Sequence, residues 1–178
     1  MKKQILKHFM DSKQESFTDV SWYQEANEYC SLVAKKYSIP LYKVVGVLAA
    51  LSPKNKWIRN KEDVITMIEK GINGKYRTFH NNRDKAIKIL SCAKKSEVEM
   101  LLSGRKIFSF YHNILNYSNS NLVTVDIWAG RSVGVATVTP RYYNEIEDAY
   151  IDAATDLGIL PSELQAIVWT HIRGKVAQ

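Results

Sequence analysis

From Leu102 to Arg131 the chain has the sequence LSGRKIFSFYHNILNYSNSNLVTVDIWAGR, which carries its strongest signal for fold and function. A turn at Gly104 precedes an amphipathic helix with Lys106 at its start, and a short polar loop then leads to Asp126 at the start of another helix. An amine and a carboxylate brought together in this way could carry out covalent chemistry at a sugar carbon. They could equally be a surface lysine and a helix cap.

Helical patterns continue on both sides of this stretch. Residues 41–51 form a nearly continuous apolar segment without internal turn signals, which predicts a buried helix. Asn60 and Thr124 are the residue types that cap helices, so we expect a helix to begin after each. Pro140 and Pro161 stand where first-turn prolines belong.

The fold class follows from these patterns. We expect an all-α protein, a compact helical domain of about eight to ten short helices. We expect one domain over residues 1–178, with residues 1–20 as an N-terminal extension and residues 21–178 as the core.

Composition excludes several classes of protein. No apolar run approaches the length of about 18 residues that a membrane span needs, and no signal peptide is evident, so a cytoplasmic protein of a bacterial cell or phage-infected host is expected. The two cysteines are too few for an iron–sulfur cluster and are expected to be buried free thiols. The four histidines have no metal-ligand spacing. We therefore expect no metal and no small-molecule cofactor.

Charge is distributed unevenly along the chain. The net charge is +7, and residues 54–106 alone carry 14 basic and 6 acidic side chains, which gives +8. A polyanion such as nucleic acid is the natural partner of this segment. The alternative is a solvated, lysine-rich surface.

Cations, amides and one aromatic side chain alternate in the loop from Ser52 to Asn60. An enzyme that extrudes a base from duplex DNA must fill the gap or stack on the partner base, and Trp57 could do either. Alternatively, Trp57 packs on its own domain. The candidate DNA-binding residues of this loop are Lys54, Asn55, Lys56, Trp57, Arg59 and Asn60.

The stretch from Leu102 to Arg131 contains Gly104-Arg105-Lys106, an apolar helix after it, and Val125-Asp126 with an arginine five residues after the aspartate. These features resemble the core of the helix–hairpin–helix DNA glycosylases, the endonuclease III superfamily. Residues 47–52, 85–89 and 169–174 are similar to further helices of that family, in the same order. Through Leu-Ser-Pro, Val-Asp-x-Trp and His-x-Arg-Gly the chain also resembles a group of small phage-encoded proteins of unknown role. The hairpin is shorter than the family's usual form, and the C-terminal cysteine cluster is absent.

The resemblance implies a role for each matching residue. Asp126 corresponds to the catalytic aspartate, and Lys106 to the lysine that forms a Schiff base in bifunctional members. Gly104 and Arg105 would contact the DNA backbone. The remaining pocket candidates are Trp128, which replaces a common histidine of the family, Arg131, His112 and His171.

The expected function is that of a DNA glycosylase, with or without lyase activity, which acts as a monomer on a flipped damaged or modified base in double-stranded DNA. Three alternatives stay open at this point. They are a base-modification enzyme of the same superfamily, a non-catalytic DNA-binding phage protein on a decayed glycosylase scaffold, and a helical protein-interaction domain.

Overall fold

The computed structural model describes residues 1–14 and 22–173, with side chains for 1–12 and 22–173. Within these ranges the all-α prediction is confirmed, since they contain ten α-helices and no strand. The helices are α1 (Lys2–Gln14), α2 (Trp22–Tyr37), α3 (Leu41–Leu51), α4 (Trp57–Lys70), α5 (His80–Ser91), α6 (Lys95–Leu101), α7 (Arg105–Leu115), α8 (Ile127–Ser132), α9 (Pro140–Leu157) and α10 (Pro161–Arg173). Among the described residues, none of these helices is both long enough and apolar enough to cross a membrane.

Proline and glycine set several helix ends as predicted. Pro140 and Pro161 are the first residues of α9 and α10. Thr139 caps α9, and Gly158 ends it in the left-handed conformation, with φ of 66°.

Two predicted caps are wrong. Asn60 lies inside α4, which begins three residues earlier at Trp57. Thr124 does not cap α8, because Asp126 holds that position. The Thr124 hydroxyl instead accepts a hydrogen bond of 3.0 Å from Tyr23.

The chain divides into two compact units. Unit 1 consists of Met1–Glu25 and Asn116–Ala177, and unit 2 of Ala26–Leu115. Unit 2 is therefore continuous in sequence, whereas unit 1 combines the two ends of the chain. The sequence-based expectation of one domain stays a prediction.

The core of unit 1 is built from α1, α8, α9 and α10 together with the extended segment before α8. From α1, Ile5 and Phe9 are buried in this core, so residues 2–14 belong to the packed unit, although the sequence suggested an extension over residues 1–20. Its largest fully buried side chains include Tyr150, Ile146 and Leu164.

Helix α3 is the centre of unit 2, as its apolar sequence predicts. Every residue from Val44 to Leu51 is buried, and α4, α5, α6 and α7 all pack against this helix. Gly46 lies at a close approach of helices, since a Cβ atom there would meet Val98 Cγ1 at 2.6 Å and Ile89 Cγ2 at 3.1 Å. Glycine at this position therefore sets the packing distance.

Candidate functional site

A helix–turn–helix in unit 2 occupies the place where the sequence predicts a phosphate-binding turn. Helix α6 ends at Leu101, α7 begins at Arg105, and Gly104 between them has a φ of 89°. A Cβ at Gly104 would meet nothing within 4 Å, so this side of the turn is open. Glycine is thus required by the backbone conformation, and the open side lets another molecule approach the main chain.

Three basic residues lie at this turn. Arg105 and Lys106 occupy the first two positions of α7, and both are exposed. Lys85 reaches the turn from α5, where its ammonium group donates a 2.7 Å hydrogen bond to the Ser103 hydroxyl. The start of α7 also carries the positive end of the helix dipole. The turn therefore combines cations with a helix N-terminus, the features that hold a phosphate.

The loop before α4 presents two lysines to solvent. Lys54 adopts a left-handed conformation, with φ of 56°, and its ammonium group lies 5.6 Å from the centre of the exposed Phe79 ring. Lys56 is the exposed residue that precedes α4. The Asn55 amide donates to the Leu51 carbonyl at 3.3 Å and to Asp63 Oδ2 at 2.8 Å, so it anchors the loop.

Trp57 and Asn60 are less exposed than these lysines and contact other residues of unit 2. Trp57 is partly exposed, with its ring centre 6.4 Å from that of Tyr29, and the Lys61 ammonium group lies 5.4 Å from its ring. Asn60 is only 2% exposed and donates to the Leu48 carbonyl at 3.1 Å. Arg59 is partly exposed. Asn60 therefore joins α4 to α3, and its predicted contact with DNA stays a prediction.

The charge asymmetry coincides with the division into units. Unit 2 contains 17 basic and 7 acidic residues, a net charge of +10, whereas unit 1 contains 8 basic and 11 acidic residues, a net charge of −3. The electropositive segment predicted from the sequence, residues 54–106, thus lies within one compact unit, which also includes the turn at Gly104.

Asp126 lies in unit 1 as the N-cap of α8. Its Oδ1 atom accepts hydrogen bonds from the backbone N–H groups of Trp128 and Ala129, both at 2.9 Å. Oδ2 takes no part in this cap, and the residue is partly exposed. Oδ1 of Asp126 therefore caps the helix, whereas Oδ2 makes no bond in this cap.

The Tyr150 phenol interacts electrostatically with the Asp126 carboxylate. Burial raises the pKa of the Tyr150 phenol well above its usual value, and the negative charge of Asp126 raises it further. Ser132 Oγ donates to the Ala129 carbonyl at 2.7 Å, so Tyr150 is the donor in its 2.9 Å bond to Ser132. A neutral phenol thus fixes the end of α8.

Tryptophan rings and guanidinium groups cluster around helix α8, which begins directly after Asp126. Arg131 lies 4.6 Å from the ring of Trp128, and Arg173 lies 5.5 Å from that ring and 4.7 Å from the ring of Trp169. Trp22 continues the series, with its ring centre 5.5 Å from that of Trp169. We call these five residues the Trp–Arg ladder.

The two predicted histidines lie in different units. In unit 1, the ring centre of His171 is 5.6 Å from that of His8. Burial is the main cause that lowers the pKa of His8, and the charge of the neighbouring His171 lowers it further. In unit 2, His112 Nε2 lies 3.5 Å from Glu99 Oε1, and burial lowers the pKa of His112 while Glu99 opposes that shift.

Lys106 belongs to unit 2 and Asp126 to unit 1. Each lies at the start of a helix, as the sequence predicts. Their convergence on one substrate stays a prediction.

One protein-family model, described as a family of unknown function (DUF7178), matches residues 1–176 of the chain. The chain belongs to this family. No curated protein matches the chain, and no solved structure does. The match to the DUF7178 family extends over both units, so the turn at Gly104, Asp126 and the Trp–Arg ladder all fall within it.

Sequence reasoning missed Trp22, Trp169 and Arg173 as candidate site residues. One local signal could have indicated part of the ladder in this DUF7178 member. An arginine follows a tryptophan by three residues at Trp128 and Arg131, and by four residues at Trp169 and Arg173. Both spacings bring side chains together on a helix surface.

Proposed function

We propose that this protein binds duplex DNA through unit 2 and removes a base from it as a DNA N-glycosylase that uses Asp126. The observation that carries the proposal is the open glycine turn between α6 and α7, which lies in a unit with a net charge of +10. This combination favours contacts with the DNA backbone, which position a protein without selecting a base sequence.

The cations at the turn give DNA binding a measurable signature. Lys85 and Lys106 can each neutralise a phosphate and release its counterion. Lys54 and Lys56 extend the basic surface along the loop before α4. Affinity should therefore fall steeply with salt, with a logarithmic slope of about −0.9 for each phosphate contact.

Asp126 supports the chemical step of the proposal. When the bond between a base and its sugar breaks, positive charge develops on the sugar, and a carboxylate oxygen nearby stabilises that charge. Oδ2 is available for this role because Oδ1 alone makes the cap. In the proposed reaction a water oxygen bonds to the sugar carbon, the base leaves with the bonding electrons, and the proton from water passes to the base.

A lyase version would use Lys106 instead of water. Its amine would attack the sugar carbon, release the base and form a Schiff base that can eliminate and break the strand. Lys106 is exposed at the start of α7, a position that also suits a phosphate contact. We therefore propose the water-dependent reaction as the main one and test the lysine directly.

A non-catalytic DNA-binding protein is the second candidate. The observation that favours it is that the cap by itself accounts for the position of Asp126. Both candidates predict salt-dependent DNA binding, but only the glycosylase predicts release of a free base.

The binding arm of the test measures fluorescence anisotropy of a labelled duplex over a salt series. Lys106→Ala should weaken binding and make the salt slope shallower by about 0.9. Lys3→Ala is the matched control, because Lys3 is an exposed lysine of unit 1, and it should leave both quantities unchanged. Equal effects of the two variants would contradict binding through unit 2.

The catalytic arm measures free base by mass spectrometry, with duplexes that contain deaminated, alkylated, oxidised or hypermodified bases. The wild-type protein should release one class of base, and Asp126→Asn should abolish the release. Binding without release from any of these duplexes would favour the non-catalytic protein. Borohydride should trap a covalent adduct only if Lys106 is the nucleophile, and Lys106→Ala should then lose it.

A further inference from the structure

The Trp–Arg ladder brings together residues of unit 1 that lie on three helices. Trp22 comes from α2, Trp128 and Arg131 from α8, and Trp169 and Arg173 from α10. All three tryptophans are partly exposed, and Arg131 is exposed. The ladder is therefore a surface feature rather than part of the buried core.

Charge makes this arrangement unusual within its unit. Unit 1 has a net charge of −3 and only three arginines in its sequence, namely Arg131, Arg141 and Arg173. Two of the three lie in the ladder. Two of the three arginines of unit 1 thus lie beside tryptophans, although the unit as a whole is acidic.

Stacking prepares an arginine to bind an anion. An aromatic ring holds the face of the guanidinium group, while the N–H donors point outward in its plane. Those donors match the oxygens of a phosphate in a bidentate arrangement. The edges and faces of nearby indole rings can at the same time contact bases, which stack on aromatic side chains with little dependence on sequence.

We propose that the Trp–Arg ladder binds a single strand of nucleic acid, with the exposed guanidinium group of Arg131 on a phosphate and the tryptophans against its bases. The residues of this site belong to unit 1, and the proposal does not require Asp126 to be catalytic. A strand fits better than an isolated anion because the ladder repeats the same pair of contacts, an aromatic ring beside a cation, at Trp128 and again at Trp169.

Tryptophan fluorescence can report on this site in the intact chain. The protein has four tryptophans, and three of them belong to the ladder. The fourth, Trp57, lies in unit 2. In a Trp57→Phe background, quenching by bound bases therefore comes from the ladder alone.

The experiment titrates the full-length Trp57→Phe protein with an unlabelled oligothymidylate at about 0.2 M salt, which suppresses non-specific electrostatic binding. We expect saturable quenching of the tryptophan emission. Adding Arg131→Gln should weaken the binding at least about tenfold, because it removes one stacked guanidinium group. Arg131→Lys should also weaken binding, since it keeps the charge but loses the planar donors.

Arg141→Gln is the matched control. Arg141 is an exposed arginine of the same unit that pairs with Glu145 at 2.8 Å, and no tryptophan lies beside it in the described part of the chain. Its loss should leave the titration unchanged. A thermal melt by circular dichroism confirms that each variant is folded.

Three results would overturn the proposal. They are the absence of saturable quenching, equal losses from Arg131→Gln and Arg141→Gln, and equal quenching by inorganic phosphate at the same phosphate concentration. Failure here is distinguishable from failure of the proposed glycosylase, because duplex binding is measured through Lys106→Ala and base release through Asp126→Asn.

Discussion

Replacing Asp126 by alanine removes both hydrogen bonds that cap α8. The two donors differ in environment, since Trp128 is partly exposed whereas Ala129 is only 2% exposed. Loss of an N-cap costs about 0.5–2 kcal/mol, and a buried N–H group left without an acceptor puts this case in the upper part of that range. We expect Asp126→Ala to destabilise unit 1 by about 1–2 kcal/mol.

Asp126→Asn keeps an oxygen that can cap the helix but removes the negative charge. Asparagine caps helices as well as aspartate does, so its amide oxygen can accept the same two bonds and stability should change by only a few tenths of a kcal/mol, about 0.3. Urea unfolding followed by tryptophan fluorescence is the suitable assay, because three of the four tryptophans lie in unit 1. The midpoint should fall for alanine and stay near wild type for asparagine, with an unchanged slope.

Two results would refute this reasoning. If alanine is as stable as wild type, the bonds at Oδ1 do not stabilise α8. If asparagine is as damaging as alanine, the negative charge rather than the cap is what the fold needs. Thr139→Ala provides a comparison in the same unit, where the single cap bond is longer, at 3.3 Å, and exposed, so its cost should be smaller.

Three further predictions concern packing, reactivity and pH. Gly46→Ala should cost about 1–3 kcal/mol in urea unfolding, because its Cβ would lie 2.6 Å from Val98 Cγ1, and adding Val98→Ala should recover part of that loss. Burial raises the pKa of Cys30 to about 12, so a thiol reagent at neutral pH should label it only after unfolding, as peptide mapping by mass spectrometry would show. The pKa of His8 is lowered from 6.5 in the folded protein, so below pH 6.5 the unfolded chain binds a proton more readily than the folded protein does. The free energy of unfolding should therefore fall as the pH drops below 6.5. His171→Gln removes one cause of the shift and should reduce this fall, whereas an unchanged pH profile would contradict the assignment.

The helical architecture could be predicted from the sequence because its signals are local. Apolar periodicity within α3 and the prolines that open α9 and α10 each act within a few residues of the helix they define. The turn at Gly104 is local in the same sense, since one residue with a positive φ joins two helices. The positions of Lys106 and Asp126 at helix starts follow from such signals as well.

Features that depend on distant residues were harder to predict. Asn60 has the chemistry of a cap, but its amide binds the Leu48 carbonyl of another helix, a contact that the local sequence does not encode. Thr124 also has the chemistry of a cap, but its partner is Tyr23, 101 residues away in the chain. The ladder includes residues as far apart in the chain as Trp22 and Arg173. Only its two pairs within one helix, Trp128 with Arg131 and Trp169 with Arg173, can be recognised from their spacing in the sequence.

The discontinuity of unit 1 has a consequence for synthesis on the ribosome. Ile5 and Phe9 are translated before their packing partners in α9 and α10. Unit 2 is complete once Leu115 has been made, so it can fold while α1 still lacks its neighbours. A nascent chain stalled far enough beyond residue 115 for α7 to clear the ribosome should therefore protect α3 from protease while the N-terminal helix remains cleavable. Synthesis and release of a chain that includes α9 and α10 should protect both.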